Sequence, residues 1–239
     1  MIFCHVTGAT MQRRAVDKNA SVIVDFHFDF VCPWCLIGKR NLDAAIARFA
    51  ILRPEVSVEV RWHSHQLLPD MPADGVPYQA FYLARLGSAN AVAARRAQVQ
   101  EVARASGVEL AFDRIEVMPN TRAAHDLVAW AASAGTACEP GSLIDRLLTG
   151  YFIDGEDIGD HDVLERIGLE CGLDAAGLTE HLAASRSKGD TTIPRSPQAG
   201  DVGGVPHFVF NSALSRSGAY SFGAIVDAMF RSIDHQECR

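Results

Sequence analysis

Cys32-Pro33-Trp34-Cys35 is the stretch that most constrains this chain, because of what stands on either side of it. Before it, Val22, Val24, Phe26 and Phe28 share one alternating face, the pattern of a buried strand. After it, Leu36, Leu42, Ile46 and Phe49 recur at helical spacing, with Lys39, Arg40, Asp43 and Arg48 between them. Cys32 therefore stands where a strand hands over to a helix. Pro33 suits the first helical turn, where a missing N–H costs nothing. Cys32 then occupies or adjoins the N-cap, facing unpaired backbone N–H groups and the positive end of the helix dipole. Such a setting favours the reactive thiolate. Cys35 follows one turn later on the same helical face, within disulfide reach. The spacing suits a dithiol that opens and closes.

The rest of the composition narrows the function class. The chain has 239 residues, enough for one large domain or a domain with an insertion. Its net charge of −7 gives no footing for nucleic acid or an anionic membrane as partner. Six cysteines occur, and only Cys32 and Cys35 form a short-spaced pair. A closed zinc site needs four ligands, usually two such pairs, so the spacing favours redox chemistry and no metal is expected. Cys4, Cys138, Cys171 and Cys238 read as incidental or buried thiols. Residues 1–20 have no sustained apolar run of the kind a secretory signal carries, and read as a loose lead-in. Met11 is an alternative start. The cytoplasm is the expected compartment, where thiols rest reduced.

Farther along, Val56, Val58, Val60 and Trp62 alternate with polar residues and complete a β-α-β unit with two parallel neighbouring strands. Ala- and Leu-rich segments follow at 78–86, 89–106, 121–134, 142–151, 160–170 and 174–184, separated by Gly and Pro breaks. Asn120 or Thr121, Asp160 and Asp174 are the expected caps. A glycine turn at Gly203-Gly204 then leads through Pro206 into the apolar run at 207–210. A turn at Asn211-Ser212, a second strand at 214–219 and a closing helix at 222–233 complete the pattern. The expected organisation is a lead-in at 1–20, an α/β frame at 21–75 and 186–239, and an inserted helical domain at 76–185.

Several separated stretches resemble the DsbA family of thioredoxin-fold oxidoreductases. Within it they resemble the soluble branch of polyketide-biosynthesis dithiol–disulfide isomerase-like proteins and 2-hydroxychromene-2-carboxylate isomerases. The stretches are 29–40, 62–72, Pro119-Asn120-Thr121 with Ala124-His125, 153–164, 204–211 and Ser217-Gly218-Ala219. They run in order over nearly the whole chain. The resemblance implies an α/β thioredoxin-like fold with a large inserted all-helical domain. It makes Cys32 the attacking thiolate and Cys35 the buried resolving thiol, with Pro33 and Trp34 tuning the redox potential. It places Val205-Pro206 at the family's cis-proline position, where the Val205 backbone pairs with a bound substrate chain. Asp29 is a tuning candidate, either a proton relay to Cys35 or a turn-forming aspartate. His207 departs from the family's usual apolar residue after the proline; beside the dithiol it would make reactivity pH-dependent. Pro194 and Pro197 interrupt a stretch that is helical in relatives. His27, His63, His65 and His125 form no recognised ligand set and read as structural or surface residues. Lys39 and Arg40 read as a solvated helix face.

The expected activity is thiol–disulfide oxidoreduction on a protein or small-molecule thiol or disulfide, with isomerase-like reshuffling included. No cofactor is expected beyond a redox-active Cys32–Cys35 disulfide, with glutathione a candidate co-substrate. One rival is a glutathione-dependent isomerase or transferase of the chromene-carboxylate or kappa type. Those relatives commonly carry serine where Cys32 stands, and Asn120 would contact glutathione or simply cap a helix. The other rival is a redox-responsive chaperone without catalysis. Nucleic acid and membrane are not expected partners, and a homodimer is left open.

Overall fold

A computed structural model describes residues 21–136, 138–187 and 203–237. The lead-in before Ser21, the Pro194–Pro197 interruption, and Cys4 and Cys238 lie outside the described residues. Strand β1 (Ser21–Phe28) runs parallel to β2 (Ser57–Ser64), joined by helix α1 (Pro33–Leu52). β5 (His207–Phe210) lies antiparallel on the other side of β1, and β6 (Leu214–Ser217) lies antiparallel to β5. The sheet order is β2-β1-β5-β6. A parallel β-α-β unit followed later by a β-hairpin on the same sheet is the thioredoxin-like arrangement.

Between β2 and β5 the chain is largely helical. It contains α2 (Tyr78–Leu86), α3 (Ala89–Ala105), α4 (Arg122–Ser133), α5 (Pro140–Thr149), α6 (His161–Glu170) and α7 (Ala175–Ser187). Helix α8 (Phe222–Glu237) closes the chain against α1, where the Phe49 and Phe230 rings lie 5.0 Å apart. The fold is thus a thioredoxin-like α/β core with an inserted all-helical subdomain.

The central strand carries the core. Val22, Val24, Phe26 and Phe28 are all fully buried, as their alternation requires. Each is worth roughly 1.5–3 kcal/mol of burial. Phe26 packs against Phe208 of β5 and edge-on against Trp62 of β2. The β5–β6 turn puts Asn211 and Ser212 at φ 48° and 55°, a left-handed pair that matches the twist of a tight hairpin. The Asn211 side chain accepts from the Ile23 amide at 2.8 Å and donates to Ser232 of α8 at 3.2 Å. One asparagine therefore ties the hairpin to β1 and to the closing helix.

The helix boundaries fall within a few residues of the sequence reading, and the caps explain several. Asp160 accepts from the Asp162 amide and Asp174 from the Gly177 amide. Asn120, not Thr121, supplies the side-chain oxygen at the start of α4, accepting from the Arg122 amide at 3.0 Å. Two features depart from that reading. The expected helix over 142–151 passes into a π-helical turn, Gly150–Asp154. It ends at Gly155 (φ 78°), where any Cβ would meet the Arg114 carbonyl at 2.5 Å. A two-residue ladder, β3 (Val76–Pro77) with β4 (Val117–Met118), also fastens the entry of the helical block.

Lys39 corrects an expectation. It is 4% exposed, with its ammonium 2.7 Å from Asp43, 3.5 Å from Asp145 of α5 and over the Trp62 ring. The inserted helices cover this side of α1 and supply a charge that neutralises a lysine the local pattern assigns to solvent.

Candidate active site

The end of β1 and the start of α1 bring Asp29, Cys32 and Cys35 together, with Val205-Pro206 beside them. Cys32 is the N-cap of α1, with extended backbone (φ −98°, ψ 107°), and Pro33 opens the helix. Its own amide donates to the Asp29 carbonyl, and the Cys35 amide donates back to the Cys32 carbonyl at 2.9 Å. These bonds hold the turn between strand and helix. Cys32 is 5% exposed and lines a cavity; Cys35 is fully buried beneath it. Both thiols are free in this structure.

The pair is electrostatically unequal. Burial pushes the Cys35 thiol well above its ordinary pKa. A hydrogen bond with Cys32 and the Cys32 charge push it the same way. A backbone hydrogen bond with Asp29 opposes them, and the Asp29 charge adds a smaller upward push. Cys35 therefore keeps its proton in the resting dithiol, within hydrogen-bonding contact of Cys32.

The peptide bond between Val205 and Pro206 is cis, and the Val205 carbonyl accepts from Cys32 Sγ at 3.5 Å. Gly38 of α1 makes room for this loop. A Cβ at Gly38 would lie 3.2 Å from Pro206 Cγ and 3.3 Å from the Phe208 ring. Trp34 is half-buried, with the Arg95 guanidinium 5.6 Å above its ring.

Asp29 sits beneath the dithiol at 0% exposure. Its Oδ1 accepts from the Phe30 amide at 2.8 Å and lies 3.1 Å from His125 Nε2; its Oδ2 accepts from the Leu67 amide at 2.7 Å. It thus fastens three segments of chain while its charge reaches Cys35. His125, read from sequence as structural or surface, is buried on α4 between Phe28 and Phe30 and faces this carboxylate. Its position inside a family-like stretch was the available signal, but only the tertiary fold brings α4 against Asp29.

His207 corrects an expectation. Phe208, its neighbour on β5, faces α1, so alternation turns His207 to the opposite face of the sheet. There its ring packs against His27, and its Nδ1 lies 2.7 Å from Ser217 Oγ. Burial lowers its pKa, and no cysteine contributes.

Register makes this a ladder, because His27 pairs with His63 on one side and His207 on the other. His63 Nε2 lies 2.7 Å from Asp25, whereas neither ring nitrogen of His27 has a hydrogen-bond partner. Burial, then the neighbouring His63, His207 and His65, push the His27 pKa down from 6.5 to about 4, against a smaller opposite pull from Asp25. The unfolded chain therefore binds a proton at His27 that the folded chain refuses. Stability is complete above about pH 6.5 and is lost as pH falls through about 4, by on the order of 2–3 kcal/mol. Urea titrations at pH 7 and pH 4.5 are expected to show a smaller stability loss in His27→Leu protein than in the unsubstituted chain.

Among the described residues, no group of three or more His, Cys, Asp or Glu is placed to hold a metal ion. No described helix is long and apolar enough to cross a membrane.

A DSBA-like thioredoxin domain model matches residues 23–230, nearly the whole chain. The chain belongs to the DsbA family. A CXXC-spaced pair in this fold is a thiol–disulfide redox site, and this family member is an oxidoreductase in that general sense. The crystal structure of a probable DsbA oxidoreductase, SCO1869 from Streptomyces coelicolor, is similar. It has 26% identity and a TM-score of 0.75, over 88% of this chain and 89% of that one. The Bacillus subtilis protein YwbO is 24% identical over 81% of this chain and 89% of its own length. The structure of a 2-hydroxychromene-2-carboxylate isomerase shares the fold at 16% identity, with a TM-score of 0.61 over 90% of this chain and 98% of that one.

Proposed function

We propose that this DsbA-family protein exchanges disulfides through a mixed disulfide on Cys32 that Cys35 resolves. The observation that carries the reading is the inequality of the two sulfurs. Cys32 meets the cavity at the mouth of α1, and Cys35 lies behind it, fully buried, where burial raises its pKa. Only the outer sulfur can meet a substrate, and only the inner one is placed to displace it.

In the reducing direction, the Cys32 thiolate attacks a substrate disulfide, and one substrate thiolate leaves. Cys35 then attacks Cys32 Sγ, the second substrate thiolate leaves, and the Cys32–Cys35 disulfide remains. Two electrons pass from the dithiol to the substrate. The proton released by Cys35 is assigned to Asp29, whose carboxylate charge reaches that sulfur. In the oxidising direction the steps reverse. Val205, whose carbonyl meets Cys32 Sγ, is the backbone group assigned to an extended substrate. The compartment's redox poise sets the direction, and a reducing cytoplasm favours reductase or isomerase work.

Equilibration with mixtures of reduced and oxidised glutathione tests this. The expected result is interconversion between dithiol and a Cys32–Cys35 disulfide, with glutathione adducts only a minor species. Glutathione turnover that proceeds without any intramolecular disulfide would instead favour the isomerase or transferase reading.

A further inference from the structure

The cavity at Cys32 carries a chemical preference of its own. Its floor is apolar and aromatic, with Phe81, Phe112 and Met118 among its walls, and its volume is about 260 Å³. That is room for a ring-sized group beside Cys32. Three cations line the same space: Arg85 of α2, and Arg95 and Arg96 of α3. Among the described residues none of them is in a salt bridge, in a chain whose net charge is −7. Arg95 donates to Gln98 and Arg96 to Gln79, both neutral amides. The Nε of Arg96 is buried and has no partner at all. Its guanidinium is held over the Tyr78 and Phe112 rings, 5.1 and 5.9 Å from their centroids. Three cations left unneutralised around an apolar space are a recognition surface for an anion with an apolar body.

Resting on the disulfide-exchange reading, we propose that this cavity binds a small anionic thiol or disulfide with an apolar or aryl body. The carboxylate, or an equivalent anionic group, meets Arg85, Arg95 and Arg96, and the sulfur meets Cys32. Trp34 forms one wall, so the arginine stacked on it links anion binding to the active-site turn. In a single turnover, Cys32 attacks the bound disulfide and one anionic thiolate leaves. Cys35 then closes the Cys32–Cys35 bond and releases the second. The substrate disulfide is the oxidant, the protein dithiol is the reductant, the Cys32 proton passes to solvent and the Cys35 proton to Asp29.

The test compares single-turnover rates of the reduced protein with three probes: dithiobis(nitrobenzoate), which is anionic and aromatic; dithiodipyridine, which is neutral and aromatic; and cystamine, which is cationic. Each rate is divided by the rate of the same probe with mercaptoethanol. The anionic probe is expected to be preferred over the neutral one by roughly tenfold at low ionic strength. Most of that preference is lost at about 0.5 M salt, where the screening length is a few ångströms. An Arg85→Gln, Arg95→Gln double variant is expected to bring the anionic-to-neutral ratio to within about twofold of unity by removing two of the charges. Arg231→Gln on α8, outside the cavity wall, keeps the ratio. As a binding readout separate from chemistry, nitrobenzoate is expected to quench Trp34 fluorescence saturably, and more weakly in the double variant. Equal normalised rates for all three probes would overturn the ligand class and leave the redox reading intact. So would a cationic preference, or a ratio that survives the double substitution. Failure to react with any probe would overturn both.

Discussion

Cys32→Ser protein is expected to show no disulfide-exchange turnover above background, a fall of about 10³-fold or more, as for loss of any covalent nucleophile. Cys35→Ser protein is expected to fail differently. It still attacks, because Cys32 keeps its place at the mouth of α1 and its contact with the Val205 carbonyl. It cannot close the intramolecular bond, so a mixed disulfide accumulates on Cys32 until an external thiol releases it. Turnover then becomes dependent on the concentration of that thiol, whereas the first half-reaction runs at close to the unsubstituted rate. A stopped reaction resolved by mass separates the two variants, as an adduct-bearing chain for Cys35→Ser and an unmodified one for Cys32→Ser. Equal behaviour of the two would contradict the assignment of outer and inner roles.

The largest effect on stability is expected at Asp29. Its two oxygens serve the amides of Phe30 and Leu67 and face His125 Nε2, with no solvent access. Asp29→Ala strands these donors in the interior beside a dithiol that cannot satisfy them. Loss of a buried, multiply bonded carboxylate costs about 3–5 kcal/mol, a large share of the roughly 5–15 kcal/mol that holds a typical domain folded. Asp29→Asn keeps the shape but presents one oxygen and one NH₂ group. One edge of it therefore meets donors with a donor, at a cost of about 1–3 kcal/mol. The check is urea unfolding of both variants against the unsubstituted chain. A change below 1 kcal/mol for Asp29→Ala, on the scale of ordinary surface substitutions, would show that the carboxylate is not fastening the site.

The parts of this site that local chemistry fixes were readable in advance. A strand, a cysteine, a proline and a helical pattern in succession place Cys32 at an N-cap, and that is where it stands. The cis bond before Pro206 was legible only through family resemblance, since proline alone does not specify its isomer. Lys39 and His207 depart from their sequence reading for one shared reason, which also hides the particular role of the structural His125. Each is defined by a partner distant in sequence: Asp145 on α5 for Lys39, His27 across the sheet for His207, and Asp29 below the dithiol for His125. Alternation could say that His207 and Phe208 face opposite ways, but not which way, until the register with β1 was known. The two-residue strands at 76–77 and 117–118 are too short to show any period. The arginines at the cavity drew no reading from the sequence, because nothing local shows that α2 and α3 close over Cys32.

The most direct measurement is to treat the reduced protein with one equivalent of a small disulfide, block remaining thiols by rapid alkylation, and map the sulfur linkages by peptide mass. The account predicts a single Cys32–Cys35 bond, with Cys138 and Cys171 alkylated. A Cys32 that stays as a lasting adduct while Cys35 is alkylated, or a Cys35 bonded to any other cysteine, would contradict it.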